Sequence, residues 1–366
     1  MKNTIILLLA LGMLAACTTG TKKTVTEDTQ KTAEVQDTLR YEQEAHLKNI
    51  RQLTFGGDNA EAYFSFDDRY LVMQRTNKDK GIPCDQIYYG DLQDPEFKMN
   101  LISTGKGRTT CSYFMPGDET IIFASTHKAD DACPPPPDIT KVKRYVWPIY
   151  PTFELYISDK EGNILNQLTD NDYYDAEATV SAQGDKIVFT STRDGDLDLY
   201  TMDIDGSNVN RVTTGLGYDG GAFFSPDGTK LIFRSSRPKT ETEIAVYKSF
   251  LSKDLVAPTN MELYVCNVDG SDLKQIAELG KANWAPFFHP SGEKVIFCSN
   301  HSSESGRQFN LFMMNLDGTG VEQVTYDSQF DSFPMFSYDG KKLVFASNRN
   351  NGGTRETNVF IADWVE

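Results

Sequence analysis

The chain has 366 residues, with 52 acidic residues against 36 basic ones, a formal net charge of −16 and only four histidines. That balance excludes nucleic acid as a partner, because phosphate backbones need clustered Lys and Arg. So few imidazoles leave little room for His-based proton transfer or metal ligation.

Met1-Lys2-Asn3 is a short basic start, and Ile5 to Leu14 is an apolar run too short to remain in a bilayer as a spanning helix. It ends in Leu14-Ala15-Ala16-Cys17, which resembles the cleavage box of bacterial lipoproteins. The resemblance implies a signal peptide over 1–17 and lipidation of Cys17. It places the mature protein in the bacterial cell envelope, held to the membrane through the lipid. No acidic cluster follows Cys17, which favours the periplasmic side of the outer membrane. Residues 18–46 are rich in Thr, Lys, Glu, Asp and Gln and read as a disordered tether, with too little apolar surface to fold.

From residue 47 to 366 the chain repeats. The block Phe224-Ser225-Pro226-Asp227-Gly228-Thr229-Lys230-Leu231-Ile232-Phe233-Arg234-Ser235-Ser236-Arg237 has weaker copies beginning at Phe64, Phe114, Val180, Phe288 and Phe336. Such a period signals an array of identical units. Each unit reads as four short strands. An aromatic lead strand runs into a tight turn such as Asp227-Gly228, where Asp-Gly supplies positive φ. An apolar second strand follows, as in Lys186–Ser191, Lys230–Ser235 and Lys294–Ser299. A third strand carries a polar–aliphatic–aromatic triplet: Gln86-Ile87-Tyr88, Glu154-Leu155-Tyr156, Asp198-Leu199-Tyr200, Glu262-Leu263-Tyr264, Asn310-Leu311-Phe312 and Asn358-Val359-Phe360. The fourth strand is amphipathic, over 208–213, 272–277 and 320–325. Four antiparallel strands per repeat make a propeller blade. Lys48–Thr54 reads as a fourth strand with nothing before it, and the last unit lacks a fourth strand. The N-terminal strand therefore completes the last blade and removes an exposed sheet edge. The expectation is an all-β, six-bladed β-propeller. These units resemble the repeats of TolB-like propellers, marked by the Ser-Pro-Asp-Gly turn after an aromatic. The resemblance is specific for fold and weak for function.

Cys84 and Cys133 lie in loop-like contexts of adjacent blades, and export permits a disulfide between them. Cys111 is a rival partner. Cys266 and Cys298 fall in strands and read as buried apolar residues. His127 and His301 occupy a column filled elsewhere by Arg193, Arg237 and Arg349. The expected partner of that column is the polar residue opening the third strand, such as Glu154, Asp198 or Glu262. No Gly-x-Ser-x-Gly, His-Glu-x-x-His, Walker loop or Cys-x-x-Cys motif occurs.

Five residues before each lead position stand Asn59, Thr109, Asp175, Asp219, Asn283 and Asp331. They fall where the chain enters the axial strand, so they are expected to ring one mouth of the central channel. Two positions on come Glu61, Cys111, Glu177, Gly221, Ala285 and Phe333, placed by strand alternation on the same side and deeper. The first set could equally cap local turns. Asp175, Glu177, Asp219 and Glu61 could hold Ca²⁺ or another hard cation. Two insertions decorate the same mouth. One, 128–152, carries a proline run and then Arg144-Tyr145-Val146-Trp147, suited to a peptide or a sugar ring. The other, 238–260, reads as a short helix with Ile244, Tyr247, Phe250 and Leu251 on one face.

The function read from this is a non-enzymatic envelope lipoprotein that binds a peptide of an envelope protein, or a glycan, through Glu61, Asp175, Glu177, Asp219, Asp331, Arg144, Tyr145 and Trp147. No cofactor is required. The alternative is a metal-assisted polysaccharide lyase or hydrolase that uses carboxylates at the channel mouth.

Overall fold

The computed structural model describes residues 37–366 apart from Lys141; the expected signal peptide, Cys17 and residues 18–36 of the expected tether lie outside the described residues. Six four-stranded antiparallel sheets form six blades. Their innermost strands are Asp58–Phe64, Thr109–Phe114, Asp175–Val180, Asp219–Phe224, Asn283–Phe288 and Asp331–Phe336, and each packs on the next around a closed ring. The second strands are apolar because both faces are covered: Leu231, Ile232 and Phe233 are fully buried, as are Ile187, Val188 and Phe189. The fourth strands are shorter than their patterns predict, two residues each at Asn210–Arg211, Lys274–Gln275 and Glu322–Gln323.

Ring closure is as expected. Leu47–Gln52 pairs antiparallel with Asn358–Trp364, with Leu47 opposite Trp364 and Gln52 opposite Phe360. The boundary of the tether needs correction. Residues 37–46 pack on the last blade. Glu44 is fully buried and receives both terminal nitrogens of Arg349 at 2.9 and 3.2 Å. The Tyr41 hydroxyl donates to Asp327 at 2.7 Å. The His46 ring stacks on Trp364 at 4.8 Å. One ionic contact and two aromatic residues fix a segment whose composition alone predicts disorder.

The Cys84–Cys133 disulfide is formed, and Cys111, Cys266 and Cys298 are free thiols. Helix α1, Glu241–Leu251, forms within the second insertion. Thr240 and Glu243 make a reciprocal capping box at its start. Tyr247 is its buried anchor, and the Tyr247 hydroxyl donates to Asp196 of the neighbouring blade. The two insertions meet: Trp147–Pro148 pairs antiparallel with Leu255–Val256.

Candidate binding cavity at the channel mouth

Each innermost strand carries one irregularity at the same place. The residue three before the lead position takes a left-handed backbone: Glu61 (φ 50°), Cys111 (49°), Glu177 (59°), Gly221 (59°), Ala285 (46°) and Phe333 (53°). The strand register shifts there in all six blades, which is a β-bulge. A non-glycine residue in this region costs roughly 1–2 kcal/mol, and five of the six are not glycine. All six line one cavity of about 470 Å³ at the channel mouth.

The bulge overturns the alternation expected from sequence. The extra residue falls at the second column, whose left-handed backbone turns it away from the side the first column faces. Asp175, Asp219 and Asp331 are fully buried inside their blades and do not line the cavity. Arg193 holds Asp175 at 3.0 Å, Arg237 holds Asp219 at 2.6 Å, and Arg349 holds Asp331 at 3.1 Å. The arginine column thus pairs with the innermost strand, not with the third-strand opener. Those openers bond elsewhere: Asp198 to Arg211 at 2.6 Å, and Glu262 to the backbone N–H of Gly280 at 2.6 Å. His127 and His301 lie on Tyr156 and Phe312, with ring centroids 4.4 and 4.5 Å apart. Each bonds through Nδ1 to the serine two residues earlier, at 2.8 Å. Burial pulls both histidines below the usual imidazole range. The four carboxylates expected to hold Ca²⁺ do not converge. Among the described residues, no three His, Cys, Asp or Glu side chains gather in a metal-holding group.

Glu61 and Glu177 do reach the cavity, with different surroundings. Glu177 accepts from Arg234 Nη2 and the Tyr218 hydroxyl at 2.5 Å, and from Thr190 Oγ1 and the Gly221 N–H at 2.8 Å. Four donors fill the lone pairs of a carboxylate. Gly221 makes room for this arginine: a Cβ would stand 1.8 Å from Arg234 Nη1 and would push the guanidinium off Glu177. Among the described residues Glu61 makes no ion pair, although the Arg234 charge is near enough to draw its carboxyl down somewhat. Burial raises its carboxyl to about 7; a hydrogen bond from the Cys111 thiol opposes the rise, and the Glu177 charge adds to it. Burial, with Glu61 and Glu177 close by, pushes the Cys111 thiol well above its usual range.

The inserted loop roofs this space. Trp147 packs against Trp284 at 5.2 Å, and its Nε1 donates to the Tyr145 hydroxyl at 3.1 Å. The Arg234 guanidinium lies 5.4 Å from the Trp147 ring centroid and 5.1 Å from that of Tyr218. Arg144 does not join them. It is exposed and lines a smaller pocket of about 140 Å³ against helix α1. The floor is aromatic, with Tyr63, Phe223 and Phe287 in edge contact at 5.4 and 5.1 Å. This plug separates the mouth from a second cavity of about 220 Å³ beside Tyr113 and Tyr338. The site is a cup rather than a tunnel.

Arg234, Trp284, Tyr174, Tyr218 and Asp58 also line the cup and escaped the sequence reading. Arg234 had a signal. It is the only charged member of a second-strand column otherwise occupied by Gln74, Ala124, Thr190, Cys298 and Ala346.

Six blades around a plugged axis, with a roofed cup at one mouth, define a six-bladed β-propeller. The TolB beta propeller domain matches residues 151–256 and 256–355, more than half of the chain. The chain belongs to that family. Among curated proteins none matches its sequence. A TolB-type protein from Agrobacterium tumefaciens superposes with a TM-score of 0.57 at 19% identity, over 87% of this chain and 97% of that one. TolB from Acinetobacter baumannii gives 0.51 at 16% identity, over 84% of this chain and 63% of its own length. An oligogalacturonate lyase in complex with manganese gives 0.50 at 14% identity, over 86% and 80%. At these identities the likeness is one of fold.

Proposed function

We propose that this propeller is a lipid-anchored binding module of the bacterial cell envelope, on the periplasmic side. It takes the end of a peptide or a short glycan into the cup at its decorated mouth. The observation that carries this is the roofed aromatic cavity of about 470 Å³, a size suited to a small ligand. A folded partner could lay only a projecting segment into it. The strained ring of bulges supports the same reading. Backbone strain of this kind persists where the surrounding structure over-determines it, and it clusters at binding sites. Cys17 would supply the anchor through the lipoprotein cleavage box.

Trp147→Ala tests the proposal. The ring is half-exposed on an insertion outside the blades, so its loss should lower the melting temperature by no more than a few degrees and keep a single transition. Ligand binding, followed by calorimetry against envelope peptides and short glycans, should weaken by at least about tenfold, as for an aromatic hot spot. Equal affinity in the variant would move the site away from the cup.

One observation favours a second reading. A carboxyl raised to about 7 sits where a general acid or base works best. The fold is shared with an oligogalacturonate lyase. Against a paired-carboxylate hydrolase stands Glu177, whose oxygens are filled by Arg234, Tyr218, Thr190 and Gly221. Incubation with polyuronate and neutral polysaccharides, with chain length followed by chromatography, separates the readings: a binding module leaves the chains intact.

A further inference from the structure

Charge within the cup is unbalanced. Four carboxylates line it, from Asp58, Glu61, Asp85 and Glu177, and two guanidinium groups, from Arg108 and Arg234. Both guanidinium groups are already engaged. Arg108 holds Asp85 at 2.7 Å, and Arg234 holds Glu177 at 2.5 Å. Among the described residues, Asp58 and Glu61 make no ion pair. Asp58 is exposed at the rim, and Glu61 is half-buried deeper in the cup. A carboxylate held away from water without a cation is costly. The same cup is lined by the rings of Trp147, Trp284, Tyr63, Tyr174 and Phe333. Aromatic faces attract cations, and in this cup one guanidinium already rests against Trp147 and Tyr218.

Resting on the reading of the cup as a ligand site, we infer that its ligand carries a primary ammonium group, and that Glu61 is the counter-ion, with Asp58 drawing the cation in from the rim. The missing positive charge is supplied by the ligand. A neutral sugar or an acidic chain would leave Glu61 uncompensated, and an acidic chain would also meet the net charge of −16 on the whole protein.

The inference fixes the pH response. Five groups face Glu61: the Glu177 and Asp85 carboxyls, the Cys111 thiol, the Arg234 guanidinium and the Tyr63 hydroxyl. Of these, Glu177 and Asp85 are paired with arginine, and Cys111 and Tyr63 are pushed well above their usual ranges. Glu61 is therefore the group that titrates near neutrality, at about 7. It must lose its proton to pair with an ammonium ion. Affinity for an amine should rise as pH increases through 7, while affinity for an uncharged analogue stays flat.

The test uses matched pairs titrated into the protein by calorimetry and tryptophan quenching: a glucosamine disaccharide against its N-acetylated twin, and lysine amide against its Nε-acetyl form. The sugar and lysine arms distinguish a glycan from a peptide as the source of the amine. The expected result is at least about tenfold tighter binding of one amine over its acetylated twin. That preference should be erased in Glu61→Gln, halved or so in Asp58→Asn, and steeper at pH 8 than at pH 6. The pH profile of the unaltered protein gives the same answer without any substitution. If the acetylated twins bind as tightly as the amines and Glu61→Gln changes nothing, the inference fails while the cup remains a binding site. If no probe quenches tryptophan and Trp147→Ala is equally silent, both the inference and the binding reading fall.

Discussion

Glu61 shows how one residue can be placed by its backbone and left unsettled by its neighbours. The left-handed bulge turns its side chain to the axis, where the one arginine that faces it, Arg234, is already held by Glu177. Glu177, in the same position two blades on, has Arg234. The difference sets a stability prediction with a definite sign. A carboxyl raised from its ordinary value to about 7 favours the folded state while protonated. That contribution is present at low pH and is lost as pH rises through 7, where the folded protein must carry an unpaired charge. Glu61→Gln removes the charge and keeps the shape. It should raise stability at pH 8 by about 1–3 kcal/mol and have little effect at pH 5. Thermal melts at the two pH values check this; equal shifts at both would mean that Glu61 is already compensated.

Among strands and insertions, the strand pattern was legible and its facing was not. The second strands announce themselves by unbroken apolar runs such as Lys294–Ser299, and α1 by the helical spacing of Ile244, Tyr247, Phe250 and Leu251, while its capping box went unread. Alternation failed in the innermost strands because the bulge is a property of paired backbones. No residue type marks it: glutamate, cysteine, glycine, alanine and phenylalanine all occupy it. One further signal was present but unread. Blades with arginine at the end of the second strand have aspartate five before the lead, as in Arg193–Asp175, Arg237–Asp219 and Arg349–Asp331. Blades with histidine there have Thr109 or Asn283. Acid and base thus exchange together, which marks them as one intrablade pair rather than a channel ring. Asp219→Ala should therefore strand Arg237, half-buried against Tyr264, and destabilise the protein by about 3–5 kcal/mol. Denaturant unfolding reads that loss. A cost under 1 kcal/mol would return Asp219 to the candidate ligand residues.

For the molecule as a whole, stability depends on how the ring is shut. A propeller blade is joined to its neighbours mainly through packing, so the place where the two ends of the chain meet is its natural point of failure. Here the closure is doubled. Leu47–Gln52 supplies the outer strand of the last blade, and residues 37–46 continue beyond it. There Glu44 joins Asp331 on Arg349, making a buried triad of two acids and one base. Glu44→Gln leaves every strand in place and weakens only the clasp. Removing one partner from a buried ion network costs about 3 kcal/mol or more, here moderated because Asp331 still neutralises Arg349. Deleting residues 37–54 removes clasp and strand together, exposing the edge of Asn358–Trp364 along with Trp364, Phe360 and the core behind them. The first change should lower the melting temperature by a few degrees and keep a single transition; the second should abolish cooperative melting and drive association through the open edge. Calorimetry with light scattering distinguishes these outcomes. A deletion variant that stays monomeric and melts like the parent would mean that the ring holds without its fourth strand.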